Sequence, residues 1–525
     1  MADWDLETDV LVVGFGGAGA CAAIEARETG AEVLVLDRFG GGGATAISGG
    51  VFYAGGGTDI QREAGVEDEP EAMYAYLHQE VQGVVSDETL RDFCASSVEN
   101  LRWLVQRGVP FQASLCPVKT SYPTDDYFLY YSGNEGFSPY RDTAKPAPRG
   151  HRAVGRSLPG RNFYEPLRAS ALRVGVQARY HARASALITD DEGRVLGAEV
   201  QQIPGGFWAW WHGRLEATAI KVVNYNPGFA RRLRAWGRSV AARRARTLRI
   251  RARRGVVLSA GGFIYNREMV KAHAAPYRRG MPLGTAGCSG EGIQLGQSVG
   301  GAVAMMDRVS AWRFLNPPEA FVRGVLVNRE GRRYVNESLY GAAVGEAMVD
   351  HNDGVGMLVI DESIKAAARA QVGRGKTQWF QTAPTLLNLR VNCRRADDVA
   401  ALARLCKCPA EAIGETIEVY NDAADSGGDD PFGKELRQPL KPPYYVINCG
   451  IASKAWPLPT LTLGGLVVDE GGGEVKREDG AVIPGLYAAG RTAVGVCSRQ
   501  YVSGLSIADC VYSGRRAGRS AASQG

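Results

Sequence analysis

No Cys-x-x-Cys pair occurs among the ten cysteines of this 525-residue chain. That argues against a zinc ribbon or an iron–sulfur cluster and favours reduced thiols, as in a cytosolic protein. No stretch of about 18 apolar residues is present, so a spanning helix is not expected. The first residues, Met1-Ala-Asp-Trp-Asp5, carry neither a basic region nor an apolar one, so no export signal is expected and a cytoplasmic location is. His181 and His212 stand alone, without ligand partners at metal spacing, and no metal site is expected. Acidic residues are missing from Pro227 to Arg254, where eleven arginines account for more than the whole net charge of +5. The chain is therefore not basic throughout. At 45% apolar residues it is too hydrophobic to be disordered and long enough for two or three domains.

Glycine, by contrast, is plentiful: 67 residues, many paired or tripled at the ends of apolar runs. Asp9-Val-Leu-Val-Val13 reads as a buried parallel strand. Gly14-Phe-Gly16-Gly17-Ala18-Gly19 follows it directly and opens an alanine-rich segment suited to a helix. A second strand, Glu32-Val-Leu-Val-Leu36, ends at Asp37, close to the spacing of a carboxylate that holds an adenosine ribose. A lone G-x-G-x-x-G would be a weak signal, but in this strand–turn–helix–strand–acid order it predicts dinucleotide binding. Glycines let a pyrophosphate approach the helix N-terminus, where backbone N–H groups and the helix dipole favour anions. A further loop, Gly40 to Gly43 and then Ala44-Thr-Ala-Ile-Ser-Gly-Gly50, reads either as a linker or as a wrap for a longer cofactor.

Downstream lie Leu258-Ser-Ala-Gly-Gly-Phe263, Ser289-Gly-Glu-Gly-Ile293, Gly324-Val-Leu-Val-Asn328 with Arg333-Tyr-Val-Asn-Glu337, and Ile483-Pro-Gly-Leu-Tyr-Ala-Ala-Gly490. Taken in order over nearly the full length, these motifs resemble the FAD-dependent fumarate reductase and 3-ketosteroid dehydrogenase superfamily. The resemblance implies an α/β, Rossmann-like FAD-binding domain (1–302 and 446–525) with an inserted α+β catalytic capping domain (303–445). It implies non-covalent FAD held by Gly14, Gly16, Gly17, Ala18, Gly19, Asp37, Arg38, Ala44, Thr45, Ser48, Gly49, Gly50, Ala184, Ala260, Gly261, Glu291, Gly490, Arg491, Gly504, Leu505, Ser506 and Ile507. Arg491 departs from the pattern, because much of the family has Glu there and uses it toward the ribityl chain.

Within that superfamily, fumarate reductases place a substrate-binding Arg in the closing stretch, where this chain has Tyr501-Val-Ser-Gly504. A neutral phenol suits a ketone better than a carboxylate. The Y-x-S-G pattern resembles 3-ketosteroid Δ4-(5α)-dehydrogenases, whereas Δ1-dehydrogenases carry Y-P-G-P-G. The resemblance implies that Tyr501 polarises the C3 ketone and that Tyr340 and Ser503 share a proton relay from C4 while C5 gives hydride to FAD. Which of Tyr340 and Ser503 is the base stays open, and Tyr340 also reads as plain cap core. Tyr127, Tyr130 and Tyr131 are candidates for a flat apolar pocket, although an aromatic cluster is more often core. An external electron acceptor is expected, since no iron–sulfur, haem or second nucleotide motif is present. The alternatives are a Δ1-dehydrogenase, a fumarate- or enoate-type reductase, and, outside catalysis, a flavin-binding electron carrier or scaffold.

The basic excursion, 204–254, begins with Phe207-Trp-Ala-Trp-Trp211; Phe229, Leu233, Trp236 and Val240 then recur at helical spacing and predict one apolar stripe on a basic helix. Such a helix suits peripheral contact with an anionic membrane. The alternative is an insertion packed on the FAD domain with solvated arginines. Nucleic-acid binding is not expected.

Overall fold

A computed structural model describes residues 3–223 and 226–524. Residues 1–2, at the start of the N-terminal stretch, and 224–225, inside the 204–254 excursion, lie outside the described residues, as does residue 525.

Strand β1 (Leu6–Val13) leads through a glycine turn into helix α1 (Gly17–Glu28), and β2 (Val33–Asp37) returns beside β1. Val10 pairs with Val33 and Val13 with Leu36, in parallel register. The predicted strand–turn–helix–strand unit is thus present. Further along come β3 (Gln177–Tyr180), the antiparallel pair β4 (Ala182–Thr189) and β5 (Val195–Gln202), two helices α2 (Phe207–Val222) and α3 (Pro227–Arg244), and the long strand β6 (Arg246–Leu258). Strand β7 (Val482–Ala488) and helix α4 (Leu505–Ser523) close the chain. The main sheet runs Glu474–Lys476, β7, β6, β1, β2, β3, with β5 also pairing on β6. Its centre, Val10 to Val12 and Val256 to Leu258, is wholly buried, as continuous apolar runs covered on both faces should be.

The cap carries its own four-stranded antiparallel sheet, in the order Val325–Val327, Met357–Asp361, Tyr444–Asn448, Cys393–Ala396. Its apolar core extends from Leu315 to Cys449. The strand Tyr444–Asn448 therefore straddles the expected division at 445/446.

At the heart of the cap the Arg-Tyr-Val-Asn-Glu segment makes a buried charge knot. The Glu337 carboxylate accepts from Arg333, from Lys434 Nζ at 2.9 Å and from the Leu326 amide at 2.8 Å, while Arg333 also binds Asp430. These cations hold the Glu337 carboxyl below its usual range despite its burial.

Two features of the excursion differ from expectation. Residues 246–254 are not part of an insertion: they form the first part of β6, where Arg251 faces Glu7 at 3.6 Å and Arg253 binds Asp9 at 2.8 Å. The expected single stripe is also split. On α3 the buried face is Ala230, Leu233 and Gly237, packed on Leu215 and Ala219 of α2, whereas Phe229 and Trp236 face solvent at 42% and 57% exposure. Small residues win the inner face because they let two helices of a hairpin approach closely.

Candidate functional site

Where β1 and β6 end, the chain opens a cleft of about 1330 Å³, counting its open mouth. Gly14, with φ +104°, tolerates no side chain, because a Cβ there would lie 2.6 Å from the Ser259 carbonyl oxygen. Helix α1 begins with no side-chain cap and no acidic residue in its first turn, so its amides and dipole favour an anion in the cleft. FAD, with its pyrophosphate, fits these donors.

Of the sequence-predicted cofactor residues, Gly14, Gly16, Gly17, Ala18, Asp37, Arg38, Ala44, Thr45, Ala184, Ala260, Gly261, Glu291 and Arg491 line the cleft. Asp37 also organises it: its two carboxylate oxygens accept from the amides of Phe39 (2.7 Å), Gly41 (3.0 Å) and Phe15 (3.1 Å). Arg38 is held by Glu291 at 2.8 Å. The remaining candidates are not among the residues that line this cleft. A Cβ on Gly19 would lie 1.9 Å from the Gly14 oxygen, so Gly19 serves close helix–strand packing. Ser48 Oγ caps the Thr45 carbonyl at 2.8 Å, Gly49 accepts from the Tyr122 hydroxyl at 2.8 Å, and Gly50 turns the chain at φ +62°. Gly490 donates to Ser513 Oγ at 2.9 Å, and Gly504, Leu505, Ser506 and Ile507 form the start of α4.

Arg491 is unusual. Among the described residues its side-chain partner is Cys288 Sγ at 3.8 Å, and no carboxylate pairs with it. Burial alone would push its pKa down, yet nearby thiols and Tyr501 leave it raised.

Tyr501 stands within electrostatic reach of Arg491 and belongs to an aromatic cluster drawn from distant parts of the chain. The Tyr501 ring lies 6.5 Å from that of Tyr340, nearly parallel at 26°, and 4.9 Å from that of Trp312; Phe314 lies 5.3 Å from Tyr340. Ser503 Oγ is 3.1 Å from the Tyr130 hydroxyl, and Ser132 Oγ donates to the Ser503 carbonyl at 3.1 Å. The three catalytic candidates and Tyr130 are thus brought together across more than 370 residues of chain. Tyr127 packs with Tyr122 against the cluster of Val51, Cys116 and Tyr130, and Tyr131 gives its carbonyl to Lys119 at 3.0 Å.

Burial pushes the Tyr340 hydroxyl well above its ordinary pKa; Tyr501 and Tyr130 add to this, and Ser503 opposes it. Burial raises Tyr501 as well. Both phenols are therefore neutral donors at physiological pH.

Sequence reasoning missed Trp312, Phe314 and Lys119. Lys119 Nζ stands 5.8 Å from the Tyr340 ring centroid, and burial pushes it down to about 8. No local spacing links these residues to Tyr501, so only the fold brings them together. It also overlooked a histidine pair: His181 and His212 are not isolated, because their Nδ1 atoms are 2.9 Å apart. Among the described residues, no group of His, Cys, Asp and Glu could hold a metal ion, and no helix is long and apolar enough to cross a membrane.

A family model described as an FAD binding domain matches residues 9–506. The 3-oxo-5-alpha-steroid 4-dehydrogenase of Comamonas testosteroni is 40% identical over 502 residues, covering 93% of each chain. The 3-oxosteroid 1-dehydrogenase of Mycobacterium tuberculosis is 27% identical, covering 94% of each. A crystal structure of the 3-ketosteroid Δ4-(5α)-dehydrogenase of Rhodococcus jostii, in complex with 4-androstene-3,17-dione, superposes with a TM-score of 0.83 at 36% identity, covering 100% of this chain and 98% of that one. Since the family match runs from β1 through the closing stretch that carries Tyr501 and Ser503, the chain belongs to the FAD binding domain family.

Proposed function

We propose that this flavoprotein is a 3-ketosteroid dehydrogenase of the Δ4-(5α) type, introducing a C4–C5 double bond into 5α-3-ketosteroids. The observation that carries this reading is the Ser503–Tyr130 hydroxyl contact beside the paired rings of Tyr340 and Tyr501. The neutral Tyr501 hydroxyl donates to the C3 carbonyl, which acidifies the C4 proton. One of Tyr340 and Ser503 takes up that proton as its own hydroxyl proton passes to the other, and Ser503 hands a proton on to Tyr130 along the hydroxyl chain, so that no residue carries two protons. Trp312 and Phe314 supply flat apolar walls against a steroid nucleus. Bound FAD supplies the two-electron acceptor for the hydride that leaves C5. Arg499, two residues before Tyr501 in sequence, is spent on Glu346 of the cap at 2.6 Å and so is not free to bind a substrate carboxylate.

Anaerobic mixing with a 5α-3-ketosteroid tests the reading. Bleaching of the oxidised flavin band is expected, and bleaching by a 4-ene-3-ketosteroid alone would assign Δ1 chemistry instead.

The two electrons then pass to an external acceptor. We place that exchange at an anionic membrane surface, met from the cytoplasmic side. The outer side of the α2–α3 hairpin exposes Phe207, Trp208, Trp210 and Trp236 among arginines, the composition of an interfacial contact. Co-sedimentation with anionic but not zwitterionic vesicles, lost in a Phe207→Ser, Trp210→Ser, Trp236→Ser triple variant, is the expected result.

A further inference from the structure

The inner side of the same hairpin has a separate task. Along α2, His212, Glu216 and Ile220 recur every four residues and so share one face. That face lies over the ribose end of the cleft: Glu216 and Ile220 line it together with Asp37, Arg38, Arg183 and Ala184. His212 anchors the helix there, stacked on Phe39 at 5.5 Å and bonded to His181. Glu216 is 5% exposed and faces Arg234 of α3 at 3.4 Å. Yet Glu216 Oε1 and Arg234 Nη2 are both buried with no hydrogen-bond partner. Buried polar atoms of this kind are rare in native folds and costly unless something else satisfies them.

We propose that the α2–α3 hairpin is a cover for the adenosine half of the FAD site, in which Glu216 Oε1 accepts a hydrogen bond from the adenosine moiety and Ile220 packs against it. The inference rests on the cleft being the FAD site and is independent of the steroid reading. It makes Glu216 a determinant of FAD over FMN, which shares the flavin and one phosphate but lacks adenosine.

The test compares the two flavins on the full-length chain. FAD release from the holoenzyme is followed by recovery of free-flavin fluorescence, and FMN affinity by titration of the deflavinated protein. Glu216→Ala should speed FAD release by about 10- to 100-fold, the range for losing a hydrogen bond to a charged group. FMN affinity should stay within about twofold of the parent. Ile220→Ser, at a half-buried position, tests the same face if Glu216→Ala fails to fold. Unchanged FAD release in the variants would overturn the proposal. An equal loss for FMN would overturn it too, since it would make the hairpin a general scaffold of the domain.

Discussion

Replacing Ser503 with alanine isolates the proton relay. Ser503 Oγ is the hydrogen-bond partner of the Tyr130 hydroxyl, which is wholly buried and makes no other hydrogen bond among the described residues. Deleting it strands that hydroxyl, at a cost to stability of about 1–3 kcal/mol. It also removes the group that favours ionisation of Tyr340. If Ser503 passes the C4 proton, the loss is that of general-base catalysis, about a hundredfold to ten-thousandfold. At 1.36 kcal/mol per decade this is about 2.7–5.4 kcal/mol of barrier. Tyr130→Phe lies further along the same path, so the double variant should be no slower than Ser503→Ala alone, as expected of residues acting as a unit. The assay is single-turnover flavin bleaching in anaerobic stopped flow, with C4-deuterated substrate to show that proton removal limits the rate in the variants. Thermal unfolding on the same samples separates folding losses from chemical ones. A Ser503→Ala rate within about threefold of the parent, or losses that add fully in the double variant, would refute the relay.

Tyr501→Phe removes one donor to the carbonyl and should lower the bleaching rate by about 10²–10³, read in the same stopped-flow assay. Glu337→Ala leaves Arg333 and Lys434 buried without their carboxylate and should cost about 3–5 kcal/mol, measured by denaturant unfolding. Burial raises the Glu80 carboxyl to about 7, against the opposing hydrogen bonds of Tyr76 and Asn134. The folded chain therefore holds that proton more tightly than the unfolded one. Its contribution is full below pH about 4.5 and declines by about 1.4 kcal/mol per pH unit until about 7. Glu80→Gln should flatten that part of the stability–pH curve, as seen by unfolding at pH 5 and pH 8.

The cofactor half of the site was legible because its signals are local. Strand, glycine turn, helix and acid follow one another within about forty residues, and backbone geometry dictates each residue type. Even there, sequence did not separate residues that line the cleft, such as Ala18, from residues that pack behind it, such as Gly19, because both positions need small side chains. In the proposed substrate half, sequence motifs marked Tyr340, Tyr501 and Ser503, which the fold brings together. Trp312 and Lys119 reach the same place through tertiary packing alone, and nothing in their neighbourhoods announces it. The hairpin misled for a related reason: helical spacing identified the helix, but which face turns inward depended on the partner helix, and Ala230 and Gly237 fit against α2 where Phe229 and Trp236 do not.

Arg491 is where that local legibility breaks. A glutamate in its place would meet the cofactor's hydroxyls as an acceptor; an arginine cannot, since it has only donors. Half-buried in the cleft wall beside Cys288, Cys510 and Cys497 with no carboxylate partner among the described residues, it is a charge that no acidic side chain of the protein neutralises. Such a cation is costly in the apoprotein and becomes favourable once an anion shares the cleft. FAD brings that anion as its pyrophosphate, so cofactor and arginine should stabilise each other. Arg491→Met keeps the length of the side chain and removes the charge. Its effect should change sign with the state of the protein: the deflavinated variant should melt above the deflavinated parent, while the holo variant melts below the holo parent and releases FAD faster. Thermal unfolding of the four samples measures both differences. A variant that is less stable in both states by the same amount would mean that Arg491 is neutralised within the protein, and that the departure from glutamate has no bearing on how the cofactor is held.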